Sequence, residues 1–283
     1  MTVPFRRLTA PFDLSGVGLH SGQGCSVRVS PRDGGLVLAS EGREASIDVL
    51  DLVGTGRGSD YVFPDGSRIR TCEHVLAALT GLGVWGARLD VEGGEMPALD
   101  GCAWRMVEEI MARSEPCGEA PMPLRLYAPV IVGGGERFVA TFPADELRIT
   151  YVVRYDTPQI GTQMLDLPWS PEAFVEDVAR ARTFAMASDL EALRARGMAL
   201  GGSLDNAILV GGGGVEAKGG LRWPDEFVRH KVLDLVGDMA ALGRPLLAHV
   251  VAFRAGHELH LRLMDRLRSL VSDGARTTQG TRA

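Results

Sequence analysis

The sequence predicts an α+β fold of two similar halves, each a β-sheet packed on a layer of helices, with the active site between them. In each half, short segments of alternating apolar and polar residues precede longer segments of helical periodicity. A proline- and glycine-rich stretch over 115–123 separates the halves. We therefore expect an N-terminal domain over 1–117, a C-terminal domain over 124–275 and a disordered tail over 276–283.

The first half contains strands and helices that local patterns define well. In order, we predict a strand over 25–29, a turn at 31–33, a helix over 72–82, a strand over 87–91 and a helix over 104–113. Gly83 directly follows the first helix, as is common where a helix ends. These elements supply one sheet and one helix layer.

The second half repeats this order at different spacings. We predict a strand over 138–142, a turn at 143–145, a helix over 225–242, a strand over 246–253 and a helix over 257–271. Gly243 takes the place that Gly83 has in the first half. The similarity suggests an internal duplication.

Two segments of the second half have no counterpart in the first. Residues 170–196 have helical character, with Pro171 near the start. The glycine run 211–214 predicts a turn. It lacks the Lys-Ser/Thr ending of a phosphate-binding loop, so a nucleoside triphosphate site there is not expected.

The helix over 225–242 carries His230, Asp234 and Asp238 at intervals of four residues. Because this spacing nearly matches one helical turn, the imidazole and both carboxylates project from one face. The other faces are apolar, which predicts a buried helix. Burying these polar groups without partners would cost several kcal/mol, whereas a divalent cation such as Zn²⁺ would satisfy them. A surface helix with polar i, i+4 pairs is the alternative.

A second polar pair, Glu73 and His74, begins the apolar helix of the first half. Neighbouring helical residues diverge by about 100°, so one can ligate a metal while the other reaches a water molecule beside it. The alternative is a glutamate that stabilises the helix N-terminus next to a surface histidine. With His230 and Asp234, His74 would complete three metal ligands and leave a fourth position open, as in catalytic zinc sites.

Three other histidines lie near the end of the chain. His257 follows an apolar strand at the start of the last helix, where Asp238 could hold it protonated as a general acid. His249 and His260 lack such a context, and we expect structural roles for both. Lys231 follows His230 directly and is one of only two lysines, which suggests a need for an ammonium group there.

The composition excludes several classes of protein. A net charge of −6 provides no general basic excess for nucleic-acid binding. No apolar run is long enough for a signal peptide or a membrane span, so we expect a cytoplasmic protein without an integral membrane segment. The 4 cysteines form no Cys-x-x-Cys pair, which predicts reduced thiols rather than disulfides.

The sequence resembles the zinc-dependent UDP-3-O-acyl-N-acetylglucosamine deacetylases of lipid A biosynthesis. The matching strings occur over nearly the whole chain and in the order of the family. They are Ser-Gly-Val-Gly-Leu-His-Ser-Gly at 15–22, Thr-Cys-Glu-His at 71–74, Glu-Met-Pro-Ala-Leu-Asp-Gly at 95–101, Ala-Arg-Thr-Phe at 181–184, Gly-Gly-Ser-Leu-Asp-Asn-Ala-Ile at 201–208, the segment 225–238, and Ala-Gly-His at 255–257.

The resemblance implies an amidohydrolase that converts the N-acetyl group of UDP-3-O-((3R)-3-hydroxyacyl)-N-acetylglucosamine into acetate and a free amine. It implies His74, His230 and Asp234 as Zn²⁺ ligands and Glu73 as the general base. It further implies His257 as the general acid, supported by Asp238.

The resemblance also implies substrate contacts. Thr183 would hydrogen-bond the carbonyl oxygen of the acetamido group as it becomes negative, Lys231 would meet the diphosphate or the amide, and Phe184 would pack on the sugar. Leu19, Leu190, Ala199 and the helix after Phe184 would line an apolar passage for the acyl chain, with His20 at its edge. We also expect Gly202 and Arg254 to contact substrate.

The chain departs from the family pattern at Gly58, Thr157 and Met186. We expect a monomer whose partner is the acylated UDP-sugar substrate.

Two alternatives stay open at this point. One is a related metal-dependent deacetylase for another sugar nucleotide, with or without an acyl chain. The other is a non-catalytic sugar-nucleotide binding protein with a structural metal, in which Glu73 and His257 would be dispensable.

Overall fold

A computed structural model describes residues 5–54, 57–118 and 121–279, without the side chains of 272–279. The elements of the first half are β1 Phe5–Leu8, β2 Phe12–Val17, β3 Gly24–Pro31, β4 Leu36–Ser40, β5 Arg43–Ser46, β6 Asp51–Gly54, β7 Ser59–Val62, β8 Arg68–Ile69, α1 Glu73–Gly81, β9 Ala87–Glu92, α2 Trp104–Ala112 and β10 Ser114–Cys117. The fold is α+β, as predicted.

The second half follows after Cys117. Its elements are β11 Leu124–Arg125, β12 Val130–Gly134, β13 Arg137–Pro143, β14 Arg148–Arg154, β15 Thr162–Pro168, α3 Pro171–Asp177, β16 Phe184–Met186, α4 Leu190–Ala195, β17 Ile208–Gly211, β18 Gly214–Glu216, α5 Glu226–Met239, β19 Leu246–Phe253 and α6 His257–Gln279. Two 3₁₀ segments, Ala187–Asp189 and Ala240–Leu242, precede α4 and follow α5.

The main sheets of the two halves have the same strand order. The first is β2-β3-β9-β4-β5 and the second is β12-β13-β19-β14-β15, with β11 paired to β19 in addition. In each, the central strand runs antiparallel to one neighbour and parallel to the other. This shared topology agrees with the repeat that the sequence suggests.

The helices α5 and α6 pack against the second main sheet. Along β19, buried residues alternate with half-buried ones, so one face of the strand points into the core. α5 is buried as predicted, and of its residues only Arg229 and Lys231 are partly exposed. α5 ends in the 3₁₀ turn before Gly243, whose φ of 66° fits a residue without a Cβ.

A glycine allows α1 and α5 to pack closely at the site. A Cβ on Gly237 would lie 2.0 Å from the carbonyl oxygen of Glu73, which no side chain could accommodate. The first turn of α1 therefore crosses α5 at backbone contact distance. This crossing brings Glu73 and His74 from the first half beside the polar stripe of α5.

The prediction of helical structure over 170–196 is wrong in its middle. Ser170 caps α3 by accepting a hydrogen bond from the Ala173 amide, but this helix ends at Asp177. Phe184–Met186 is a strand paired in parallel with Ile208–Val210, and helical structure resumes only at Ala187. Pairing between segments so distant in sequence leaves no local periodicity, so the pattern could not reveal it.

At the C-terminus, α6 runs to Gln279 and so extends into the tail for which we expected disorder; residues 280–283 lie outside the described part. The glycine run 211–214 joins β17 and β18, as the predicted turn requires. Among the described residues, no helix is both long and apolar enough to cross a membrane.

Candidate active site

Three buried side chains from both halves form a cluster suited to a divalent metal. His74 lies on α1, and His230 and Asp234 lie one turn apart on α5. Asp234 Oδ1 is 3.2 Å from His230 Nε2 and 3.6 Å from His74 Nε2. In a tetrahedral zinc site, bonds of about 2.0–2.1 Å separate the ligand atoms by about 3.3 Å. The spacing of these atoms therefore fits such a metal.

The hydrogen bonding of His230 supports the same interpretation. Its Nδ1 is 3.0 Å from the carbonyl oxygen of Ala181, and because a carbonyl only accepts, Nδ1 carries the proton. In the neutral ring, Nε2 keeps a lone pair for a metal ion, 3.2 Å from Asp234 Oδ1. A backbone carbonyl that orients a histidine in this way is typical of metal ligands.

Glu73 lies beside this cluster and is almost completely buried. Burial raises the pKa of the Glu73 carboxyl, although His257 and His74 oppose that shift. Its Oε2 accepts a hydrogen bond from the Ser59 amide at 3.1 Å. A Cβ on Gly58 would lie 3.1 Å from Glu73 Oε1, so the glycine leaves space next to the carboxylate.

A second buried cluster surrounds Asp238, one turn beyond Asp234 on α5. Asp238 Oδ2 lies 2.9 Å from His257 Nδ1 and 2.8 Å from His260 Nδ1, and the Ser59 hydroxyl donates to Oδ1. The prediction that Asp238 contacts His257 agrees with this geometry. Burial alone lowers the pKa of His257, but Asp238, Asp234 and Glu73 outweigh it and raise the pKa to about 9.

Asp238, His257 and His260 also bring three ligand-type atoms within 4.8 Å of one another. Their hydrogen bonds already satisfy the carboxylate, because both imidazoles can donate to it from Nδ1. This cluster therefore requires no metal to explain its burial.

Two cavities meet at the site. The polar cavity, of about 400 Å³, is lined by Glu73, His74, Asp234 and His257, together with Lys231, Arg254 and other charged side chains. The apolar cavity, of about 200 Å³, is lined by His20, Leu190, Leu193, Ala199, Gly202 and several further residues of the segment 183–209. Leu19, Thr183 and Phe184 line both cavities. Every substrate contact expected from the resemblance therefore borders one cavity or both.

Lys231 lies at the wall of the polar cavity. Its Nζ is 2.8 Å from Asp234 Oδ2 and 5.6 Å from the centre of the Phe184 ring. Burial lowers the pKa of Lys231, but Asp234 and Tyr155 outweigh it and hold the pKa above its usual value, so the ammonium stays charged. The positive charge of Lys231 thus lies between the cluster of His74, His230 and Asp234 and the ring of Phe184.

His20 is held at the edge of the apolar cavity by Glu95, which is buried. Glu95 accepts hydrogen bonds from the backbone amides of His20 at 2.7 Å and Ser21 at 2.9 Å. The amide of Ala199 lies 3.4 Å from His20 Nδ1, whereas His20 Nε2 has no partner in the described part of the chain. Two substrate contacts expected from the sequence, Ala199 and Arg254, have left-handed backbone conformations, with φ of 55° and 49°. This conformation is uncommon for residues other than glycine.

Sequence reasoning missed several residues of the site. His260, for which we expected a structural role, contacts Asp238; its position three residues after His257 could have placed both on one helix face. Ser59 contacts Glu73 and Asp238, but the sequence around it contains no pattern that predicts a site residue. Arg57 lines both cavities and pairs with Asp189. His249, by contrast, contacts Thr150 away from the site, in line with the structural role expected for it.

The chain matches the family described as UDP-3-O-acyl N-acetylglycosamine deacetylase over residues 6–269. It is 38% identical over 255 residues to the UDP-3-O-acyl-N-acetylglucosamine deacetylase of Oleidesulfovibrio alaskensis, covering 87% of this chain and 83% of that protein. Over 264 residues it is 38% identical to the deacetylase of the same name from Thermosynechococcus vestitus, covering 91% and 92%. The corresponding protein of Myxococcus xanthus is 36% identical over 270 residues, covering 93% and 86%. On this match, the chain belongs to the UDP-3-O-acyl N-acetylglycosamine deacetylase family.

Proposed function

We propose that this protein hydrolyses the N-acetyl group of UDP-3-O-((3R)-3-hydroxyacyl)-N-acetylglucosamine to acetate and the free amine, a step of lipid A biosynthesis. The observation that carries the proposal is the polar cavity with the buried cluster of Glu73, His74 and Asp234, next to an apolar cavity with which it shares the lining residues Leu19, Thr183 and Phe184. A substrate with a charged nucleotide, an amide and an acyl chain needs a polar cavity, a hydrolytic centre and an apolar cavity side by side. The family membership of the chain supports the same substrate.

We propose that His74, His230 and Asp234 hold one Zn²⁺. Two imidazoles and a carboxylate with a fourth position open are a ligand set typical of catalytic zinc. When bound, the ion would make a water molecule more acidic and stabilise negative charge on the amide oxygen. Lys231, 2.8 Å from Asp234 Oδ2, would help to keep this carboxylate oriented and ionised.

We propose that Glu73 removes a proton from the attacking water. Its carboxylate borders the polar cavity, and the Ser59 amide fixes one oxygen, so the other is free to face the cavity. Burial raises the pKa of Glu73, which makes the carboxylate a stronger base than an exposed glutamate.

We propose that His257 protonates the leaving amine. Its Nδ1 lies against Asp238, and its Nε2 lies 3.5 Å from Asp234 Oδ2, on the side of the polar cavity. Asp238 stabilises the imidazolium and orients the ring. The proton on Nε2 would pass to the glucosamine nitrogen as its bond to the acetyl carbon breaks.

The remaining side chains would bind the substrate. Thr183, at the junction of the two cavities, is placed to hydrogen-bond the carbonyl oxygen as it becomes negative. Phe184 would pack on the sugar, and Lys231 and Arg254 would offer positive charge to the diphosphate. Arg137 and Arg154 line the same polar cavity and add to that charge.

The apolar cavity would hold the acyl chain. Leu19, Leu190 and Ala199 border it, with His20 and Gly202 at its margin. Each methylene buried there would contribute about 0.8 kcal/mol of binding free energy. The passage cannot be one helix after Phe184, as we expected, because Phe184–Met186 is a strand; the short helix α4 and the loop at Ala199 supply its wall.

We further propose two domains, 1–117 and 124–275, with the site between them. The identical strand order of the two main sheets and the contributions of α1 and α5 to one cluster support this division.

All the proposed metal-binding and proton-transferring side chains come from one chain, which supports action as a monomer. Nucleotide sugars are cytoplasmic metabolites, so we place the reaction in the cytoplasm.

The test is incubation of the zinc-loaded protein with acylated UDP-N-acetylglucosamine, followed by mass spectrometry. We expect the loss of one acetyl group and release of acetate. UDP-N-acetylglucosamine without the acyl chain is the matched control, and we expect it to lose most of the kcat/KM. Equal rates on both would favour a deacetylase for another sugar nucleotide, and no turnover of either would contradict the proposed function.

A further inference from the structure

Asp238 is the centre of a buried hydrogen-bonded network that extends away from the polar cavity. Its Oδ2 lies 2.9 Å from His257 Nδ1 and 2.8 Å from His260 Nδ1. On the far side, His260 Nε2 is 3.0 Å from the hydroxyl of Tyr151, on the central part of β14. Asp238, His260 and Tyr151 are each at most 1% exposed.

The positions of the protons follow from these contacts. An ionised carboxylate only accepts hydrogen bonds, so both imidazoles present an N–H group at Nδ1. His260 then offers a lone pair at Nε2, to which the Tyr151 hydroxyl donates. Burial lowers the pKa of His260, which agrees with a neutral ring. This is the less common tautomer of histidine, and Tyr151 is positioned to stabilise it.

We propose that His260 is a positioning residue: as a neutral Nδ1–H tautomer fixed by Tyr151, it holds the Asp238 carboxylate so that His257 turns its Nε2 to the polar cavity. The effect on catalysis rests on the proposed function, because His260 would act through the proposed proton donor His257. The arrangement of protons does not, since it follows from the hydrogen bonds of His260 together with its complete burial.

The contact geometry explains why a second histidine matters. A carboxylate oxygen bonded only to His257 could rotate with that ring, whereas a second N–H on the same oxygen restrains it. Ser59 restrains Oδ1 in the same way. Asp238 is thereby held at both oxygens by groups other than the proposed proton donor.

Two substitutions of similar size separate positioning from packing. The amide nitrogen of asparagine reaches the place of Nδ1, so His260→Asn retains the donor to Asp238 and loses the contact with Tyr151. The amide group of glutamine reaches the place of Nε2, where its oxygen can accept from the Tyr151 hydroxyl, so His260→Gln retains the contact with Tyr151 and loses the donor to Asp238. Only a positioning role through Asp238 predicts that asparagine rescues activity and glutamine does not.

We expect kcat of His260→Gln to fall about 10-fold or more, and kcat of His260→Asn to stay within about 3-fold of the original protein. KM and zinc content should be unchanged in both. Equal losses in kcat for the two variants, or losses confined to KM, would overturn the positioning role. Thermal unfolding of both variants shows whether either change merely reflects a loss of folding.

The tautomer can be observed without turnover. The protein has only 6 histidines, so long-range ¹⁵N–¹H correlation spectra of ¹⁵N-histidine-labelled, zinc-loaded protein can resolve each ring. His260→Asn assigns the His260 signal, which we expect to show a protonated Nδ1 and an unprotonated Nε2. An Nε2–H tautomer would overturn the proposal even in an active enzyme. If the original protein does not deacetylate its substrate, the proposed function fails while the spectrum still decides the arrangement of protons.

Discussion

The two cavities at the site differ in what forms their walls. The polar cavity, of about 400 Å³, has walls from both halves, and its reactive side chains lie on the long buried helix α5 and at the starts of α1 and α6. The apolar cavity, of about 200 Å³, is lined mainly by short elements and loops of the segment 183–209. Core helices hold atoms at fixed distances, whereas short elements form a surface that mainly excludes water. Chemistry and chain recognition should therefore respond to different substitutions.

The strongest test of this comparison removes the proposed metal ligands. His74→Ala and Asp234→Ala should each lose zinc and essentially all activity, because two remaining ligands hold the ion poorly. The measurement is metal analysis of the purified variants together with turnover of the acylated substrate. His249→Ala, a histidine away from the site, is the control and should retain both. Full zinc occupancy in both ligand variants would contradict the assignment.

The next largest effect should come from the proposed proton-transferring groups of the polar cavity, Glu73 and His257. Glu73→Ala and His257→Ala should retain zinc and lose about 10²-fold or more in kcat, because these groups act on the transition state. The loss should be the same for every acyl chain length, which is what separates this cavity from the apolar one. Glu92→Ala, which removes a surface carboxylate, is the control. A variant of either residue with unchanged kcat would exclude its role.

The pH dependence should identify the same two groups. Glu73 acts unprotonated, so the rate should rise with pH through its pKa, which burial places above the usual value. His257 acts protonated, so the rate should fall as pH rises through its pKa of about 9. A cation on Asp234 weakens one of the charges that raise this pKa, so the falling limb should lie at or below 9. If the residual activity of His257→Ala still falls over the same pH range, that fall belongs to a group other than His257.

The smallest effect should come from the apolar cavity. Ala199→Phe narrows it and should selectively lower kcat/KM for long chains, by up to about 0.8 kcal/mol for each methylene excluded. The measurement is kcat/KM over a series of acyl lengths. Ala199→Gly is the matched control, since glycine accepts the φ of 55° at this position and widens the cavity. An equal loss at every length, or none, would mean that the acyl chain does not pass Ala199.

The sequence by itself determined the features that depend on local geometry. The spacing of His230, Asp234 and Asp238 fixes their common direction on α5, because one helical turn is a property of the backbone alone. Apolar content predicted the burial of that helix, and glycines predicted where α5 and the hairpin of β17 and β18 turn. The strings shared with the deacetylase family indicated most of the other proposed site residues, but not Arg57, Ser59 or His260. Their arrangement around two cavities was not part of that information.

Only the tertiary structure decided which distant side chains meet. His74 reaches Asp234 because Gly237 lets α1 cross α5 at backbone contact, and no pattern within either helix specifies that crossing. Phe184–Met186 forms a strand because it pairs with residues more than 20 positions away, which outweighs the local preference for helix. His260 joins the network of Asp238 for the same reason. Contacts across the chain depend on the packing of whole elements, and local sequence periodicity carries no record of them.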